Sequence, residues 1–245
     1  MTDLSAEDVS QAFVAKEFKP QADGPSLQYR ILSPANYDAN QKYPVVLFLH
    51  GAGERGDDNL AQLKHGMSEF AKEETRKKFP AFVIAPQCPK NRKWVEVDWS
   101  AAEHSSPENP SEPLGLTLKL LDQMQKDFSI DANRIYVTGL SMGGYGTWDA
   151  LERRPEFFAA GIPICGGGDL AGAKVMKDVP IWCFHGDNDG AVPVKRSRDM
   201  IAAIKAAGGD PKYTEYPGVG HDSWTATYKN PEVIAWLFAQ KRKSE

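Results

Sequence analysis

A serine framed by glycines, Gly139-Leu140-Ser141-Met142-Gly143, follows the apolar, β-branched run Ile135-Tyr136-Val137-Thr138 and precedes residues 147–153, which read as a helix. A strand that turns abruptly into a helix at a serine holds that residue with a strained backbone and projects its hydroxyl into open space. Small neighbours such as Gly139 and Gly143 leave room for such a turn. The helix that follows points its first N–H groups and the positive end of its dipole at the same place, so an anion forming there is stabilised. Ser141 is therefore the candidate nucleophile. The competing reading is a glycine-rich turn whose serine caps a helix.

A serine hydroxyl attacks only when a neighbouring base takes its proton, and that base needs a carboxylate to fix its tautomer and stabilise its cation. His221, in Pro217-Gly218-Val219-Gly220-His221, lies in a glycine-flanked loop with no apolar strand to bury it, which suits a general base. His50 and His185 each end an apolar run and precede glycine, where a structural histidine bonding nearby backbone is expected; His65 and His104 have no special context. For the acid, Asp189 and Asp187 compete within His185-Gly186-Asp187-Asn188-Asp189-Gly190. Asp189 stands farther along the loop and can reach across to the histidine, whereas Asp187 suits a turn-forming bond to loop amides. Asp189 is preferred, and Asp222, adjacent to the base, comes third. Acyl transfer also needs donors for the developing oxyanion. One is the backbone N–H of Met142. The other is expected from the turn His50-Gly51-Ala52-Gly53, with Ala52 ahead of Gly51. That turn lacks the GK[ST] ending of a phosphate cradle.

The elements that must position these groups alternate along the chain. Tyr43–Leu49 is an unbroken apolar run, as are residues 82–85, 159–165 and 179–184, the pattern of central parallel strands covered on both faces. Leu27–Leu32 alternates like a half-exposed antiparallel edge strand, and residues 212–216 read as a last strand. Helical spacing marks residues 68–78, 114–128, 194–207 and 232–241, with Gly208-Gly209 as a stop. Residues 4–18 fit either a short helix or an edge strand. The fold class is α/β, a mostly parallel central sheet with helices on both faces, in a single domain over residues 1–245. Ligands collect at the carboxyl ends of such strands, which is where His50, Ser141, His185 and His221 fall. Residues 86–113, rich in proline and polar groups, are a long irregular connection expected to wall the site. Of the tryptophans, Trp99 and Trp224 are the better pocket candidates and Trp148 suits the core. Glu54 and Arg55, directly after the oxyanion turn, are expected to form an internal salt bridge.

With 41% hydrophobic and 25% charged residues and a net charge of −4, the chain has neither the basic surface of a nucleic-acid or membrane binder nor a disordered composition. Cys88, Cys165 and Cys183 are an odd number without CxxC spacing, so no disulfide framework or structural zinc is implied. The polar start Met1-Thr2-Asp3-Leu4-Ser5 lacks a signal peptide's apolar core, and no run is long enough to span a bilayer. The expectation is a cytoplasmic protein, an exported one read without its leader being the alternative, and a monomer or small homo-oligomer.

Gly-Leu-Ser-Met-Gly-Gly at 139–144, His-Gly-Ala-Gly-Glu-Arg-Gly at 50–56, His-Gly-Asp-Asn-Asp-Gly-Ala-Val-Pro at 185–193 and Gly-His at 220–221 resemble the α/β-hydrolase superfamily. More narrowly, they are similar to bacterial carboxylesterases often labelled predicted peptidases or phospholipase/carboxylesterase-like proteins, related to feruloyl esterases. The chain order Ser, Asp, His agrees. The resemblance implies an α/β-hydrolase fold and roles for Ser141, Asp189 and His221 as catalytic triad, with Met142 and Ala52 as oxyanion donors. It implies a small-molecule ester substrate of short-chain or aromatic, feruloyl- or acetyl-type, character, hydrolysed through an acyl-enzyme, and no metal or organic cofactor. A thioesterase or small serine peptidase with the same triad, and an inactive binding protein on the same fold, are the alternatives.

Overall fold

The computed structural model describes residues 4–99 and 101–242; the reading of Met1-Thr2-Asp3 as a polar start lies outside them. Eight strands form one sheet. Their ranges are β1 Val14–Phe18, β2 Leu27–Leu32, β3 Tyr43–Leu49, β4 Phe82–Pro86, β5 Ile130–Leu140, β6 Ala160–Ile164, β7 Trp182–Gly186 and β8 Lys212–Tyr216. The order across the sheet is β1-β2-β4-β3-β5-β6-β7-β8. Strands β4, β3, β5, β6, β7 and β8 run parallel, while β2 pairs antiparallel with both β1 and β4. Leu27–Leu32 is thus not the edge its alternation suggested. β1 covers its outer side, and the half-burial of Gln28, Tyr29 and Arg30 comes from incomplete cover on one face.

Alternation along β3 sends side chains into two cores. Val45, Leu47 and Leu49 point to one face with residues of helices α4 (Glu112–Asp127), α5 (Met142–Arg153) and α6 (Lys195–Ala206). Val46 and Phe48 point to the other, against α1 (Ala6–Ala12), α2 (Met67–Ala71), α7 (Trp224–Lys229) and α8 (Pro231–Ala239). A strand buried on both faces has no polar side to present, which is why all seven residues of β3 are apolar and buried. Among the described residues, no helix is long and apolar enough to cross a membrane.

Three expected elements are shaped differently. Residues 68–78 are not one helix: Lys72 leaves helical geometry at ψ 134° and divides α2 from α3 (Glu73–Lys78), which has no buried residue to hold it in line. The helix after Ser141 starts at Met142 rather than Thr147, because glycines at 143, 144 and 146 depress helix propensity but allow close packing. The irregular connection narrows to residues 87–111, since Ser111 caps α4 through the Leu114 amide at 3.3 Å.

The order of strands reverses at β3, which has β4 on one side and β5 on the other. Connections therefore diverge above the carboxyl ends of β3 and β5, opening a crevice between them. The elbow at β5 is packed to its limit: a Cβ on Gly143 would lie 1.8 Å from the Leu49 carbonyl oxygen, and one on Gly139 2.4 Å from the Gly143 oxygen. Both obstacles are backbone, so neither can rotate away. Gly143→Ala is accordingly expected to destabilise the fold by about 3 kcal/mol or more, read as a lowered urea midpoint, whereas Gly53→Ala, with open space around its Cβ position, leaves the midpoint in place.

Candidate active site

Ser141 sits between β5 and α5 with φ 53° and ψ −116°, a conformation outside the ordinary regions for a non-glycine residue. Its amide donates to the Ile164 carbonyl at 2.9 Å and its carbonyl accepts from Tyr145 at 3.1 Å, so sheet and helix clamp the strained residue from both sides. The side chain is left free to face the loop after β8. There His221 Nε2 lies 2.9 Å from Ser141 Oγ, and His221 Nδ1 lies 2.7 Å from Asp189 Oδ2. Nδ1 facing a carboxylate carries the hydrogen, which leaves the Nε2 lone pair to accept from the serine hydroxyl.

The two loops that carry Asp189 and His221 are tied together. Asn188 donates to the Val219 carbonyl at 3.0 Å, and Asp187 Oδ1 accepts from the Gly218 amide at 2.7 Å. A Cβ on Gly186 would lie 2.3 Å from the Val219 oxygen, so glycine is required for the histidine loop to pass this close. Asp187 thus bonds loop backbone, Asp189 meets His221, and Asp222 accepts from the Thr225 amide and hydroxyl at 3.0 and 2.9 Å, away from the imidazole.

Asp189 is held from four directions. Oδ1 accepts the amides of Ala191 at 2.8 Å and Val192 at 2.9 Å, and Oδ2 faces both His221 and, at 3.1 Å, His185 Nε2. Burial opposes ionisation of this fully covered side chain, but the bonds from His185, His221 and the two amides outweigh it and hold the carboxyl well below the usual carboxylate range. The carboxylate therefore stays charged throughout the range in which an imidazole titrates. The acid limb of a pH profile of kcat/KM is expected to fall with a slope of one proton; a slope approaching two would place a second titrating group in the step.

Met142 is the first residue of α5 and Ala52 the first of a short 3₁₀ turn, Ala52–Glu54, at the end of β3. The first amides of a helix lack intrahelical acceptors, so both are available for an anion. The two turns adjoin: a Cβ on Gly51 would lie 2.9 Å from Leu140 Cδ1. His50 lies below them, its Nδ1 2.6 Å from the Gly51 carbonyl and its Nε2 accepting from the Cys88 amide at 2.9 Å. Burial chiefly, against the pull of the Gly51 bond, pushes this imidazole down to about 4, so it is a neutral structural brace.

Glu54 and Arg55 do not pair with each other. Glu54 turns inward to His65, at 3.4 Å, and Arg55 turns outward, donating to the Ala52 carbonyl at 2.9 Å and the Arg92 carbonyl at 3.3 Å. Consecutive residues at a turn face opposite sides, which spacing along the chain does not reveal. Burial works against the Glu54 charge, yet the His65 imidazole brings its carboxyl below the ordinary value. His65, without special context in the sequence, thereby supports the Ala52–Glu54 turn, and its ring lies 5.4 Å from Trp224.

Trp224 stands edge-on to His221 at 5.3 Å, while Trp99 packs 6.4 Å from Tyr145, one helical turn below Ser141, with Lys93 Nζ 4.5 Å above its ring. The Nε1 groups of Trp99 and Trp224 and the Tyr145 hydroxyl are buried without a protein partner. Trp94 and Trp148 are fully buried in the core. The irregular segment is pinned over this side: Ser106 donates from its amide to Asp169 at 2.7 Å and from its hydroxyl to Glu152 at 2.8 Å, and Arg196 reaches the Ala101 carbonyl at 2.9 Å. Tyr145 and His185 border the site although sequence reasoning does not single them out for it. The four-residue spacing of His185 and Asp189 around a tight turn is the available signal for the second.

Cys165, Asp189 and His221 offer donor atoms within 4.8 Å of one another. They do not fit a metal: burial pushes the Cys165 thiol strongly up, away from the thiolate a cation needs, and both Asp189 oxygens already accept two donors each.

Residues 35–230 match the family described as Phospholipase/Carboxylesterase. Among solved structures, a thermostable esterase superposes with a TM-score of 0.88 at 43% identity, covering 96% of this chain and 64% of that one. A bifunctional acetylxylan esterase/xylanase of Neocallimastix patriciarum is 38% identical over 71 residues, 29% of this chain and 11% of that protein. A probable feruloyl esterase C of Aspergillus niger is 25% identical over 207 residues, 82% of this chain and 69% of its own. The chain thus spans less than two thirds of the length of the first two of these proteins. With the family match running from before β3 to the end of α7 and a parallel sheet that superposes on an esterase across 96% of the chain, this protein belongs to the phospholipase/carboxylesterase family and has the α/β-hydrolase fold.

Proposed function

We propose that this protein is a serine hydrolase of carboxylic esters, acting through a covalent acyl-enzyme on short-chain or aromatic acyl groups. The observation that carries the proposal is the run of two hydrogen bonds, 2.9 Å from Ser141 Oγ to His221 Nε2 and 2.7 Å from His221 Nδ1 to Asp189. Ser141 attacks the ester carbonyl while His221 takes its proton. Asp189 keeps the imidazole in the tautomer that can accept and stabilises the cation that forms. The amides of Met142 and Ala52 receive the negative charge on the carbonyl oxygen, each contributing about 3 kcal/mol to lowering the barrier. His221 then protonates the leaving alcohol, the acyl-enzyme is hydrolysed by water activated in the same way, and Ser141 is regenerated.

Similarity to feruloyl and acetylxylan esterases supports small or aromatic acyl groups. The test is a panel of p-nitrophenyl acetate, p-nitrophenyl octanoate, methyl ferulate, an acyl-thioester and a peptide p-nitroanilide. The acetate and ferulate esters are expected to be turned over with the highest kcat/KM, and p-nitrophenyl acetate to give a burst of p-nitrophenol equal to the enzyme present. Faster cleavage of the thioester or the anilide overturns the ester assignment.

A further inference from the structure

His185 is the other imidazole on the Asp189 carboxylate. It is the penultimate residue of β7, is wholly buried, and shares Oδ2 with His221 at 3.1 Å against 2.7 Å. Its Nε2 faces two acceptors, Asp189 Oδ2 and the Val192 carbonyl at 3.0 Å, so Nε2 must carry a hydrogen. Its Nδ1 faces the Ser197 hydroxyl at 2.7 Å, and Ser197 in turn has Cys183 Sγ at 3.3 Å. The Ser197 hydroxyl also has the Gly166 carbonyl at 3.4 Å as an acceptor, so its hydrogen has two places to go, whereas the hydrogen on Nε2 is fixed by Asp189 and Val192. Glu215, opposite it in register on β8, is occupied by Arg198 at 2.8 and 2.6 Å and Tyr213 at 2.7 Å.

We infer that His185 is a positioning residue of the ester hydrolase: as an Nε2–H donor it fixes the rotation of the Asp189 carboxylate and moderates the grip of Oδ2 on His221. The inference rests on the functional reading above. The loop amides hold Oδ1 alone, which leaves the carboxylate free to pivot about that oxygen. A donor rooted in the sheet and braced by α6 removes the pivot, while His221 itself stands on a glycine-flanked loop and cannot supply the rigidity. Sharing Oδ2 between two N–H groups also lowers the electron density offered to each.

Two substitutions separate this role from simple packing, because both place one buried amide at the site. His185→Gln carries its NH₂ near the Nε2 position and keeps the donor to Asp189. His185→Asn places its amide near the Nδ1 position, keeping the contact with Ser197 and losing the one with Asp189. The Gln variant is expected to stay within about threefold of the parent in kcat/KM, and the Asn variant to fall about tenfold to a hundredfold, in kcat rather than KM. The acid limb of the Asn profile moves to higher pH, because Oδ2, relieved of one donor, binds the His221 imidazolium more strongly. Equal losses in the two variants, or an unmoved acid limb in the Asn variant, overturn the inference and leave a packing role. A measurement on the unmodified protein stands apart from folding of the variants: ¹⁵N-histidine NMR is expected to find a hydrogen on His185 Nε2, and an Nε2 without one overturns the inference. Should the protein cleave no ester, the functional reading falls, while the His185 tautomer is still decided by the same spectra.

Discussion

Replacing Ser141 by alanine is expected to lower kcat for p-nitrophenyl acetate by a factor on the order of 10⁴ or more, with KM little changed. In the proposed mechanism the hydroxyl supplies the attacking atom, and no neighbouring group can stand in for it. Cys165, the nearest thiol, is completely buried and held as the neutral S–H by that burial. His221 is the remaining nucleophile within reach and could at most activate water. Since Ser141 is clamped through its backbone, by the bonds to Ile164 and Tyr145, the alanine protein should keep its fold and its Ala52–Glu54 turn. An alanine at φ 53° is no better accommodated than serine, so the urea midpoint should move little. Mass spectrometry after mixing with a slow aromatic ester is the second readout: the parent gains one acyl group, on the peptide holding Ser141, and the variant gains none. Turnover persisting in Ser141→Ala would remove the acyl-enzyme mechanism altogether.

Asp189→Asn is expected to cost about 10³- to 10⁴-fold in kcat, and Asp187→Asn no more than severalfold. The contrast follows from hydrogen placement. In the Asp189→Asn variant the new carboxamide would keep its oxygen towards the Ala191 and Val192 amides and turn its NH₂ towards His185 and His221, which both present N–H groups in the parent. To avoid N–H facing N–H, His221 must move its hydrogen to Nε2, and the ring can no longer accept the proton of Ser141. The Asp187→Asn change leaves an oxygen for the Gly218 amide, so the tie between the loops survives. Comparing kcat for the two variants at one pH checks the assignment, and a large loss at 187 with a small one at 189 would reverse it. Because Asp189 is held charged far below neutrality, acidifying the parent is not expected to imitate the variant until pH falls well past the range of imidazole titration.

What could be read along the chain follows from short-range rules. Strands such as Tyr43–Leu49 declare themselves because burial on two faces excludes polar residues, and the elbow declares itself because glycine alone fits where Gly143 meets Leu49. Where the chain misled, the cause lay in packing from elsewhere. Leu27–Leu32 alternates as an edge strand does, but β1 adds itself outside, a decision made by a segment whose own pattern fits helix or strand. The break at Lys72 has no proline or glycine to announce it. Glu54 and Arg55 read as a pair because they are adjacent, while the turn points them apart to His65 and Arg92.

The sequence by itself determined the α/β class, the apolar strands at the centre of the parallel sheet, and the placing of serine, aspartate and histidine after strand ends, because each depends on a residue's own volume, polarity and backbone freedom. Only the tertiary structure decided which of three aspartates faces His221, and that two imidazoles share its carboxylate. Those facts depend on distances between loops that lie 32 and 80 residues apart in the chain, set by strand order rather than by spacing. Hydrogen bonds lose their geometry within an ångström, so a partner is fixed when the sheet has brought the loops together and the hydrogens have been shared out among the atoms that meet there.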